Sequence, residues 1–213
     1  ALFHVVFVKG DSDVQTKKTL REIESLLGDK AVYAGLAVQS KTVEEQVSSQ
    51  MGLILGLGLG FIFLILILMT NSYGEPFLFL ITILLAVGLN RGTNVFLGKV
   101  SFITNNVAAI LQIAVSMDYA IFLLHSFETG LEKGMDKEKA LSYAVGKSLS
   151  TILASSLTTV GGFLALCAMS FGIGKDMGIV LAKGVVFSLL TVIFFMPALL
   201  LRMWNFVEKT GHK

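Results

Sequence analysis

The chain has 213 residues, of which 54% are hydrophobic and only 15% charged, with a mean hydropathy of +0.77. Soluble domains carry roughly a quarter charged residues, so this composition points to a membrane protein. A net charge of +2 with no basic cluster excludes nucleic acid as a partner, the single Cys167 excludes an internal disulfide or multi-cysteine metal site, and His4, His125 and His212 are too scattered to share a metal.

Leu2 to Val8 is β-branched and aromatic and predicts a buried strand. A turn follows at Lys9–Asp13. Ser12 with Gln15 has capping-box spacing and starts a helix to about Leu27, on which Leu20, Ile23, Leu26 and Leu27 share a face. Gly28-Asp29 ends it, and Ala31–Val38 predicts a second strand. Residues 1–40 therefore read as a small partial α/β unit, too small to be stable alone and expected to complete a larger domain.

Thr42 and Glu45 form a second capping-box pattern, and the helix they begin runs into the first predicted span, residues 49–70. Gly52, Gly56 and Gly60 form a small-residue ridge there, which lets another helix backbone approach closely. Asn71–Pro76 is a polar turn, with Pro76 suited to the first turn of the next helix. The second span is short, about 76–90. Arg91–Lys99 reads as a loop. The third span covers about 101–126. Phe127–Lys147 is charged and reads as an interfacial helix on the membrane surface. The fourth and fifth spans cover about 148–171 and 177–201, with a kink at Pro197. Residues 202–213 form a tail. The whole predicts a mainly α polytopic membrane helix bundle with five transmembrane helices, preceded by the α/β unit.

Five spans place residues 1–40 and the tail on opposite sides. Lys133, Lys137, Lys139, Lys147, Arg202, Lys209 and Lys213 lie on one side, and Arg91, Lys99, Lys175 and Lys41 on the other. The excess of basic residues predicts a cytoplasmic C-terminus and an extracytoplasmic N-terminal unit.

Asp118 lies in the third span, in a stretch otherwise free of charge. A carboxylate there is expensive and is rarely kept without a use such as a proton relay. Residues 107, 111, 114, 118, 122 and 125 share one helix face, which places His125 about two turns from Asp118. Gln112, Ser116 and Tyr119 form an adjoining polar stripe extending to Asn105. On the fourth span Thr151, Ser155, Thr158 and Gly162 form a matching stripe flanked by Ser156 and Thr159, a candidate polar seam opposite Asp118. The competing expectation is that these hydroxyls bond back to their own helix. Lys183 is the second charge within a span, and can pair with Asp118, snorkel, or meet a nearer polar group. A carboxylate able to take up and release a proton, with Tyr119 beside it and His125 toward the cytoplasm, suits a proton-coupled transporter.

Ser116-Met-Asp-Tyr-Ala-Ile-Phe-Leu-Leu124 resembles the Asp-Tyr motif of the RND superfamily, specifically its MMPL-type bacterial exporters. Ala154–Ala165, Asp176–Gly184 and Met196–Leu200 extend the resemblance over about 100–201. It implies that residues 1–40 end a porter-type domain and that the five spans are the second to sixth helices of a six-helix half. It also implies a second transporter half and proton-driven export of lipids or other hydrophobic molecules from the bacterial cell membrane. Protons would be the coupling ion, with no cofactor, no metal and no enzymatic activity. Asp118 and Tyr119 would be the proton-relay pair, with support from His125, Ser155, Ser156, Thr158, Thr159 and Lys183. One departure is Ser126, where the family often places Arg. A sterol-sensing-like lipid-binding module and a SecDF-like translocation motor share the five-helix layout and are the alternatives.

Overall fold

The computed structural model describes all residues except Ser12, Asn71, Lys99, Ser170, Phe171 and 211–213. Two compact units divide the chain, residues 1–56 and 57–213.

In the first unit, α1 (Val14–Leu27) opens at Asp13, whose carboxylate accepts from the Gln15 amide at 2.9 Å. The expected Ser12–Gln15 box falls on Ser12, outside the described residues. Gly28, at φ 53°, ends the helix in a left-handed conformation that glycine adopts without steric cost. α2 (Leu36–Met69) follows. Its first turns are joined to α1 by ion pairs of Lys17 with Glu44 and Lys41 with Glu24, and by Arg21 with Glu45 at 3.4 Å.

The expected α/β unit does not form: among the described residues of this unit there is no strand. The β-branched run 2–8 is irregular, and Leu2, Phe3, Val6 and Val8 are exposed. A strand exists only as part of a ladder that satisfies its backbone groups, and neither expected strand finds the other. The second is also shortened from within. α2 begins at Leu36, directly after Gly35 at φ 133°, and takes residues 36–38 into the helix. Thr42 is likewise no cap, since its hydroxyl donates to Val38 O at 3.0 Å inside α2.

The second unit contains the rest of α2 and α3 (Glu75–Thr93), α4 (Phe102–Glu132), α5 (Lys137–Ala165), α6 (Gly172–Leu190) and α7 (Met196–Lys209). Among the described residues, five helical stretches are long and apolar enough to cross a membrane, in agreement with the five spans read from the sequence. α4 is the central helix, packed against α3, α5 and α6. Half of its most apolar stretch is buried (50%), against 6% for α2. Ala120, Leu123 and Phe127 of α4, Ile83 of α3, and Ala140, Ala144 and Ile152 of α5 are fully enclosed.

Three local expectations change. The loop expected over Arg91–Lys99 is helical through Thr93, then a 3-10 turn over Asn94–Leu97. The interfacial helix expected over 127–147 is instead the end of α4, a turn and the start of α5. Gly134 at φ 78° reverses the chain, and Asp136 caps α5 by accepting from the Lys139 amide at 2.9 Å. The kink at Pro197 is a π-helical turn, Thr191–Phe195, just ahead of it. Proline has no N–H for the carbonyl four residues back, and a wider turn accommodates that loss.

The ends of the bundle are closed by hydrogen bonds of side chains and backbone. At one end Ser72 Oγ donates to Val207 O at 2.6 Å, Tyr73 N to Thr210 O at 3.2 Å, and Lys137 Nζ to Asn205 Oδ1 at 2.6 Å. At the other, Ser101 N donates to Asp176 Oδ2 at 2.7 Å.

Candidate functional site

α4 is buried on most sides, with one face left open. Leu111, Ala114, Asp118, Phe122 and His125 are all exposed, the helical spacing expected for a shared face. Asp118 is thus an uncovered carboxylate in the middle of a span, with no side-chain hydrogen bond or ion pair among the described residues. His125, two turns on, has its side chain 81% exposed and lies 3.9 Å from Glu128.

Tyr119 points the other way. It is 1% exposed, and its hydroxyl lies beside Thr159 and Ser155 of α5 without a hydrogen bond of normal geometry. Of the α5 hydroxyls, Ser155 and Thr159 therefore lie by Tyr119 rather than Asp118. Most of the α5 hydroxyls bond to their own helix: Ser156 donates to Leu153 O at 3.0 Å, Thr158 to Ala154 O at 2.9 Å and Thr159 to Ser155 O at 2.9 Å. Ser155 and Thr158 are exposed, Thr159 is half-buried and Ser156 is buried.

Lys183 does not meet Asp118. Its ammonium donates to Asn94 Oδ1 at 2.6 Å, Thr93 Oγ1 at 2.9 Å and Asn90 O at 3.0 Å, all at the end of α3. A nearer polar group has taken it, and among the described residues no cation pairs with Asp118.

Sequence reading missed how far the polar interior extends. Asn90 Nδ2 donates to Gln112 Oε1 at 2.8 Å. Gln112 Nε2 donates to Gly184 O at 3.1 Å and Ser188 Oγ at 3.2 Å. The Ser116 hydroxyl donates to Gln112 O at 2.6 Å, and its oxygen also lies within hydrogen-bonding reach of the Ser188 hydroxyl. All four side chains are at least nine-tenths buried, so α3, α4 and α6 are joined by a polar seam in their core. The available signal was two amides, Asn90 and Gln112, inside apolar runs.

The ridge of Gly52, Gly56 and Gly60 is open: a Cβ built at any of the three meets nothing within 4 Å. Close helix contact falls on α6 instead. A Cβ at Gly178 would lie 2.7 Å from Phe163 O, and one at Gly184 2.7 Å from Asn90 Nδ2. The four-residue spacing of Gly174 and Gly178 was the visible signal for this.

The chain matches the MMPL family over residues 9–209. It belongs to that family. A putative membrane protein of Methanocaldococcus jannaschii is 30% identical over 122 residues, covering 57% of this chain and 31% of that protein. The probable transport protein MmpL9 of Mycobacterium tuberculosis is 30% identical over 155 residues, covering 70% of this chain and 16% of its own length. The siderophore exporter MmpL5 of the same species is 28% identical over 128 residues, covering 58% and 13% respectively. This MMPL chain spans less than a third of the length of each of these relatives.

Proposed function

We propose that this chain is the membrane part of one half of a proton-driven exporter of lipids or other hydrophobic molecules, with Asp118 as its proton-carrying group. The observation that carries this reading is the position of Asp118. A carboxylate facing hydrocarbon costs about 2.5–3.5 kcal/mol even on the mildest scales. An uncovered one on a face shared with His125 is therefore a surface for another membrane element. A second transporter half supplies that cover, from the same longer polypeptide or a separate subunit. Tyr119 lies next in sequence and aims at the Ser155 and Thr159 hydroxyls, so proton transfer at Asp118 can be felt by α5. Relatives named as transport proteins support the same reading.

The C-terminus is cytoplasmic in this reading. Lys133, Lys137, Lys139, Lys147, Arg202 and Lys209 gather toward the end of the bundle closed by Ser72, Val207 and Asn205. Lys99 and Lys213, also part of the sequence count, lie outside the described residues.

The test is export by the complete transporter in liposomes under an imposed pH gradient. Asp118→Asn is expected to abolish gradient-driven efflux while leaving the folded protein intact. Efflux that survives the substitution would refute the relay, and ligand binding without any transport would indicate a sensing module instead.

A further inference from the structure

We propose that the hairpin between α4 and α5 holds a binding site for an anionic phospholipid, built from Lys133, Tyr143 and Lys147. Lys133 Nζ donates to Tyr143 Oη at 2.9 Å and lies 4.6 Å from the centre of its ring. Lys147 Nζ lies 5.6 Å from the same ring centre. Two ammonium groups, one from the turn after α4 and one from α5, thus converge on one phenol. Like charges brought together this way repel unless an anion joins them.

No protein carboxylate does so: among the described residues neither lysine is in an ion pair. The neighbouring lysines of the hairpin are paired, Lys137 with Glu208 at 3.8 Å and Lys139 with Asp136 at 3.6 Å. Lys133 and Lys147 are both exposed, so their charge is open to a ligand.

The depth of the site selects the ligand. Lys147 is the last charged residue before the uncharged run Ser148–Gly174, which places it at the boundary of the membrane. Tyrosine favours the same level, with its ring in the interface and its hydroxyl toward water. Below it, Ala154, Leu157 and Leu164 continue the Tyr143–Lys147 face of α5, and all three are exposed, Leu157 by 69%. A phosphodiester between the ammonium groups would have its acyl chains against this stripe. A free phosphate would leave the stripe unused. The site is separate from the Asp118 face and does not depend on the transport reading.

Native mass spectrometry of the purified full chain tests the assignment, with phosphatidylglycerol, phosphatidylcholine or inorganic phosphate added at equal concentration. The expected result is selective retention of phosphatidylglycerol. The Lys133→Gln/Lys147→Gln variant should weaken that retention by roughly tenfold. Lys139→Gln should leave it unchanged, and Lys133→Arg/Lys147→Arg should preserve it. Equal retention of the two lipids by the parent chain overturns the proposal without any variant being needed. So does undiminished retention in the double Gln variant, or displacement of the lipid by inorganic phosphate at equal concentration.

Discussion

Lys183 of α6 donates to Asn94 Oδ1 at 2.6 Å, with Thr93 Oγ1 and Asn90 O completing its surroundings. Lys183 is therefore a fastener between α6 and the end of α3. Lys183→Met should lower stability by about 1.5–3 kcal/mol, the usual range for hydrogen bonds to a charged group. A double-mutant cycle with Asp118→Asn should show coupling below about 0.5 kcal/mol, as for separated sites. Denaturation of the detergent-solubilised chain measures both, and strong coupling would restore an Asp118–Lys183 pair.

The amide seam behaves as a unit. Gln112→Leu removes the partner of Asn90 Nδ2 and the donors to Gly184 O and Ser188 Oγ, at a cost of about 1–3 kcal/mol. Asn90→Leu costs a similar amount. The double variant should be less destabilised than the two singles added together, because it leaves fewer buried polar atoms without partners. Additive losses in the same assay would show that the two amides act independently.

Glycine matters on α6 and not, in this chain, on α2. Gly178→Ala forces a methyl to within 2.7 Å of Phe163 O and should cost about 1–3 kcal/mol. Gly56→Ala meets nothing within 4 Å and should be neutral or stabilising by up to ~1 kcal/mol through helix propensity. Thermal denaturation compares them directly. A destabilised Gly56→Ala would reveal a contact on the ridge that the chain itself does not make.

Tyr119→Phe separates folding from transport. The hydroxyl is buried and without a hydrogen bond, so its removal should leave stability unchanged or raise it by about 1 kcal/mol. Export by the complete transporter should nevertheless fall, if the phenol takes part in the response to Asp118. Unimpaired export alongside unchanged stability would leave Tyr119 a packing residue.

The five spans were legible because uncharged apolar runs of membrane length have few alternatives. That Asp118 and His125 share a face was legible too, since helical spacing alone fixes which residues point together; that the face is open was not, because a hydroxyl seam was expected opposite it. The partners of those faces were not. Lys183 sits in an apolar run whose sequence carries no mark of the distant Asn94, and the α5 hydroxyls could bond outward or to their own backbone. The strands at 2–8 and 31–38 failed because β-branched composition states a preference, whereas a strand needs a ladder. The hairpin at 133–136 was hidden by its charge, although Gly134 and the Asp136–Lys139 spacing were both present.

The π turn at Thr191–Phe195 governs what the last helix can bury. Gly184, Ser188, Val192, Met196, Leu200 and Trp204 all face the bundle at a constant four-residue interval. An ideal α-helix drifts roughly 40° at each such step, so the row would wind to the opposite side before reaching Trp204. One wide turn, holding an extra residue, takes back much of that drift and brings the row into phase again. Trp204 can then meet Phe127 edge to face at 4.8 Å. Without that correction the same sequence would turn its tryptophan toward the lipid.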